Sequence, residues 1–97
     1  MSEVSSTDRI IYAIAQMSLS SRLNMHVLKL DEGATVQLFG DRTNGVLSSV
    51  TCKLKFDRDD IYYGRIFDLT KSNWKDQIKE FVDKYLESEK RHEGFKS

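Results

Sequence analysis

The chain has no proline and a single cysteine in 97 residues, and no apolar run approaches the roughly 20 residues that a membrane helix needs. A lone Cys52 excludes an internal disulfide, removes any metal site built on paired cysteines, and fits a reducing compartment. Net charge is also lacking: 15 Lys plus Arg offset 15 Asp plus Glu, so long-range attraction to nucleic acid or to an anionic membrane has no basis, and any basic site must be a local patch. The polar segment Met1 to Asp8 contains no apolar signal-peptide core. The expectation is a soluble, cytoplasmic protein with no membrane association.

Motifs that carry chemistry are missing as well. His26 and His92 lie far apart in sequence, and His26 reads as a structural or rim histidine on a strand. Cys52 falls on an inward strand position with no evident base beside it, which describes an inert core thiol. Gly40, Gly45 and Gly64 form no phosphate loop, because none opens a helix after a strand. Ser18, Ser20 and Ser21 suit a helix exit. Asp57, Asp59 and Asp60 suit a hairpin turn rather than a calcium loop, whose later ligands do not follow. No catalytic residue, metal or cofactor is expected, and the chain reads as a non-enzyme.

What is present is an ordinary globular composition, 39% apolar and 31% charged, of a length that suits one domain over residues 1–97. The ordered core is expected over about 7–88, with 1–6 and 89–97 flexible. Ile10, Ala13, Ile14 and Met17 recur at helical spacing and predict a helix from Asp8 to Leu19, capped by Ser6 or Thr7. Trp74, Ile78, Phe81, Val82, Tyr85 and Leu86 form a second helical stripe behind a polar Thr70 to Asn73 entry.

Between the helices lie four strand candidates. Val50, Cys52, Leu54 and Phe56 alternate cleanly with polar residues and face inward. The turn at Asp57 to Asp60 sets Phe56 against Ile61 and Leu54 against Tyr63. A three-residue loop at Asp31, Glu32, Gly33 sets Leu28 against Val36 and spares Lys29 from burial. At Asn44-Gly45 the preferred reading is also a three-residue loop, which sets Val36 against Val50 and Leu38 against Ser48. Arg65 alone is out of place on the inner face, where its long stem can reach water from an edge strand. The implied fold class is α+β: helix, four-stranded antiparallel meander, helix, with both helices packed on one face of the sheet.

The other face is then left open, and it carries the functional expectation. Met25, Phe39 and Leu47 form an apolar row, with Val27 beside it and Ile66 further along. Lys29, Lys53, Lys55 and Tyr62 give the far end a basic and aromatic character. Contiguous exposed apolar surface marks interaction sites, so the chain reads as a small protein-interaction domain of the adaptor, regulator or inhibitor type. Its partner-binding residues are Met25, Val27, Phe39, Leu47 and Ile66, and its partner is another protein or a second copy in a homodimer. The alternative is single-stranded RNA binding by Lys29, Lys53, Lys55 and Tyr62 through phosphate contacts and base stacking. The order of elements resembles that of the double-stranded RNA-binding domain, but the dense lysine cluster expected where its last helix opens is reduced here to Lys71 and Lys75.

Overall fold

The structure, a computed structural model, describes residues 5–20, 22–31 and 33–87. Most of the expected flexible tails, and His92, lie outside these residues. The first helix, α1 (Ser6–Leu19), starts two residues before the sequence-based boundary, because Ser5 is the residue that caps it: its Oγ accepts from the Asp8 N–H at 3.1 Å. Ile10, Ala13, Ile14 and Met17 form its buried stripe.

Four strands follow, β1 (Met25–Leu30), β2 (Ala34–Thr43), β3 (Val46–Phe56) and β4 (Tyr62–Asp68), in the order β1-β2-β3-β4, and every pairing is antiparallel. The first hairpin has the expected register, Leu28 against Val36 and Leu30 against Ala34, with Gly33 at φ 76° in a left-handed position that favours a residue without Cβ. The third pairing also agrees, with Val50 against Phe67 and Leu54 against Tyr63.

The central hairpin differs from expectation in two linked ways. Asn44 (φ 54°) and Gly45 (φ 81°) form a two-residue turn between Thr43 and Val46, both in the left-handed region that such a hairpin tip requires. The pairing then jumps between Asp41 and Arg42: Arg42 faces Leu47, whereas Asp41 faces Ser49, and Ser48 is bulged out between them. Beyond the bulge Leu38 faces Cys52 and Val36 faces Leu54, rather than Ser48 and Val50. The slide is an even number of residues, so the inward set keeps its face; only Leu47, on the far side of the bulge, changes sides. Leu47 is therefore core, 5% exposed, and not a residue of the open face.

The rows under the helices run Leu30, Ala34, Phe56; then Leu28, Val36, Leu54, Tyr63; then His26, Leu38, Cys52, Arg65; then Gly40, Val50, Phe67. Ile61 lies outside β4 and is exposed, not paired with Phe56, because the Asp59 carboxylate accepts from its N–H at 3.1 Å and holds it in the turn. Arg65 reaches water as expected, its guanidinium 5.4 Å from the Phe67 ring centre and 4.0 Å from Glu80.

The second helix, α2 (Trp74–Val82), continues into a π-helical segment, Asp83–Glu87. Asp68 shapes its approach by accepting from the Thr70 hydroxyl at 2.6 Å and the Thr70 N–H at 3.0 Å. Ile78, Phe81, Val82 and Leu86 are buried, with Trp74 and Tyr85 packed at the margin. Aromatic contacts join this stripe to β4: Phe67 to Phe81 at 5.8 Å and Tyr63 to Tyr85 at 4.5 Å. The fold is thus α+β, a meander with two helices on one face. Among the described residues no helix is long and apolar enough to cross a membrane.

Arg42 locks the end of α1 to the sheet. From its inward position at the bulge, half-buried, its Nη2 donates to the carbonyls of Met17 (2.7 Å), Ser20 and Leu23 (3.0 Å), and its Nε to Asn24 Oδ1 at 2.8 Å. One planar cation thereby bonds a carbonyl of the last helical turn, Met17, the C-cap carbonyl of Ser20 and a carbonyl of the exit loop, Leu23, at the negative end of the helix dipole. Gly40 lets the layers meet there. A Cβ at that position would stand 2.7 Å from Leu47 Cδ1 and 3.0 Å from Met17 Cε.

Candidate functional site

The face away from the helices is built from odd-numbered positions of β1, β2 and β3 and even-numbered positions of β4. Its rows are Lys29, Thr35, Lys55, Tyr62; then Val27, Gln37, Lys53, Gly64; then Met25, Phe39, Thr51, Ile66; then Asp41, Ser49, Asp68. The corrected register changes which residues adjoin. Ile66, expected in the row of Lys29, Thr35 and Thr51, stands instead in one straight row with Met25, Phe39 and Thr51, so apolar side chains of β1, β2 and β4 share a row that Thr51 interrupts on β3, and Val27 borders it. Met25, Val27 and Ile66 are exposed at 53%, 48% and 66%, and Phe39 is half-buried among them. Four of the five residues expected to form the patch therefore share this face, and Leu47 does not.

Lys53 leans over the line, its Nζ 5.5 Å from the Phe39 ring centre, so a cation lies on the aromatic face at the rim of the apolar strip. The basic end is less available than the sequence implies. Lys29 Nζ is 3.0 Å from Asp57 Oδ2, and Thr35 Oγ1 donates to the same carboxylate at 3.3 Å. The hydrogen bond from Lys29 holds the Asp57 carboxyl below its ordinary value, with the Thr35 bond and the nearby Lys55 charge acting in the same direction. Lys55 is half-buried and donates to the Phe56 carbonyl at 3.2 Å. Tyr62 remains exposed.

The remaining candidates do not converge. Asp57 turns to Lys29 and Asp59 to the Ile61 N–H, so the turn carboxylates point to different partners. Among the described residues no three His, Cys, Asp or Glu side chains gather as a metal site would require. Cys52 is fully buried under the helices, and desolvation pushes its thiol up to about 12.

A second feature was not legible in the sequence. On the inner side of β1, between that strand and α1, lies a cleft of about 610 Å³ whose lining includes Asp8, Arg9, Tyr12, Gln16, His26 and Leu28. His26 and Leu28 are only half-buried in consequence, and Tyr12 is exposed. Comparison with protein families, with curated proteins and with solved structures gave no match to this chain.

Proposed function

We propose that the chain is a non-catalytic protein-interaction domain that binds a partner protein through the open face of its sheet. The observation that carries this reading is the row Met25, Phe39, Thr51, Ile66, bordered by Val27, which places large apolar side chains on three of the four strands, with Thr51 of β3 between Phe39 and Ile66, on the side away from the helices. Scattered apolar residues are normal on a surface, but a group of them gathered on one sheet face desolvates cheaply against a complementary surface. Its lysine rim favours a partner with an apolar centre and acidic margins. Face-to-face stacking of two copies is less well supported, because it brings the lysines of both sheets together. RNA binding is less well supported, because Lys29, one of the three lysines it requires, is paired with Asp57.

The test is a capture experiment on the intact chain. Phe39→Ser combined with Ile66→Ser is expected to abolish retention of the partner while the melting temperature stays near that of the parent chain. Equal retention by both chains, or unfolding of the variant, would remove the assignment. Lys53→Glu tests the RNA reading separately, through salt-sensitive retention of a single-stranded oligonucleotide.

A further inference from the structure

Three kinds of unsatisfied surface meet at β1. Its inner side borders the cleft with half-buried His26 and Leu28, its outer side exposes Met25 and Val27, and as the first strand in the sheet order it has, among the described residues, one side with no neighbouring strand. The direction of its backbone groups can be fixed. The Asn24 carbonyl accepts from Gly40 in β2 at 2.8 Å, and the Leu30 carbonyl accepts from Gly33 at 3.2 Å, so even-numbered groups point toward β2. The Lys29 carbonyl instead accepts from Arg9 Nη2 at 2.6 Å, on the opposite side. Alternation along an antiparallel strand then turns the N–H and C=O of Met25, Val27 and Lys29 out toward the open edge.

We infer that β1 pairs with β1 of a second copy about a two-fold axis at Val27, joining the two meanders into one continuous antiparallel sheet. The occupant is another extended backbone because only a strand can satisfy this alternating row of donors and acceptors. A second copy fits because the edge is complementary to itself in this register. Val27 faces its own symmetry mate, Met25 faces Lys29 of the second copy, and His26 faces Leu28 of the second copy, so all three outward positions are used at once. On the inner side, the second copy's His26 and Leu28 come beside the cleft that α1 leaves open.

Charge selects this register over its neighbours. Here the two Lys29 residues lie four positions apart along the paired strands, about 13 Å at strand rise, and each already leans inward to Asp57. A shift of the axis to Leu28 would set them diagonally adjacent, and a shift to His26 would oppose two histidines. In the Val27 register the exposed Asp31 comes level with residues 22 to 24 of the second copy, where Arg22 is exposed. Arg9 gives up the Lys29 carbonyl to the Met25 N–H of the second copy and keeps Asp31, 3.7 Å away, in reach.

This inference does not depend on the partner-binding role of the outer face, and the two can fail separately. The experiment measures the mass of the intact chain by sedimentation from micromolar to millimolar concentration, where a species of twice the 11.2 kDa chain is expected. Val27→Pro removes a donor that points away from β2 and leaves the β1–β2 ladder whole, so the variant is expected to keep its circular dichroism spectrum and sediment at 11.2 kDa throughout. A second variant guards against a folding defect. Val27→Cys puts two thiols on residues whose Cα atoms would be about 5.5 Å apart, within disulfide range, and is expected to cross-link on mild oxidation. Gln37→Cys, one strand further in on the same row, is expected not to cross-link. A chain that stays at single mass at every concentration overturns the inference. So does a double-mass species that survives Val27→Pro, or Val27→Cys that cross-links no faster than Gln37→Cys. A double-mass species dissociated by Phe39→Ser but not by Val27→Pro would overturn it too, and would place self-association on the outer face.

Discussion

Leu47 stands opposite Arg42 across the central hairpin, both side chains turned toward the helices, and it is out of step with Val50, Cys52 and Leu54 on its own strand. The bulge at Ser48 produces this shift. The pair closes the end of the molecule where α1 stops: Leu47 fills the space that Gly40 leaves, and Arg42 gathers the carbonyls of the helix exit.

The first prediction separates the two apolar residues that the sequence places together. Leu47→Ala is expected to destabilise the fold by about 2–4 kcal/mol through lost burial and a cavity. Phe39→Ser is expected to cost much less, because Phe39 lies on the open face. Denaturant titration of both variants checks the difference, and equal losses would contradict the bulged register.

Arg42→Ala leaves several carbonyls at the helix exit without their charged donor, and a loss of about 2–3 kcal/mol is expected. Arg42→Lys should recover only part of this, because an ammonium cannot match the planar fork that reaches Met17, Leu23 and Asn24 together. Hydrogen exchange should show the last turn of α1 opening more readily in both variants.

Asp57 gives the fold an acid-sensitive contact. Its carboxyl titrates below the ordinary 3.8, mainly because Lys29 bonds to the charged form. A lowered folded-state value contributes stability that is fully present above the unfolded-state value and disappears as pH falls through the folded one. The melting-temperature gap between the parent chain and Asp57→Asn is therefore expected at neutral pH and should close below about pH 3.8. High salt should narrow it at neutral pH, since the carboxylate is exposed.

Cys52, with its thiol raised to about 12 by burial, should resist alkylation in the folded chain at mildly alkaline pH and react promptly in denaturant. Fast labelling under native conditions would show that the helices do not cover that row.

Much of this architecture follows from periodicity. The inward positions of Val36, Leu38, Val50, Cys52 and Leu54 were legible because a period of two fixes a face, and the helical stripes from Ile10 to Met17 and from Ile78 to Leu86 were legible for the same kind of reason. Register was not, since sliding one strand by an even number of residues leaves each face unchanged; Val36 could be matched to Val50 as well as to Leu54. Loop length also failed to decide it. Asn44-Gly45 forms the two-residue turn its dipeptide favours, and Ser48 then restores phase by bulging, which took Leu47 off the open face and brought Ile66 into line with Met25 and Phe39. Arg42 had no signature in the sequence, because an arginine in a polar hairpin reads as surface until α1 comes to rest against it. The cleft along β1 was likewise invisible, since it depends on where a helix lies rather than on what it contains.

The meander has a kinetic corollary. Each strand meets its immediate successor in sequence, so every ladder closes over a short connection, and the entropy lost in bringing its ends together is small. With no proline anywhere in the chain, isomerisation has no slow step to add. Stopped-flow refolding is expected to give one rapid exponential, its pace set by the docking of the two helices onto hairpins that have already zipped.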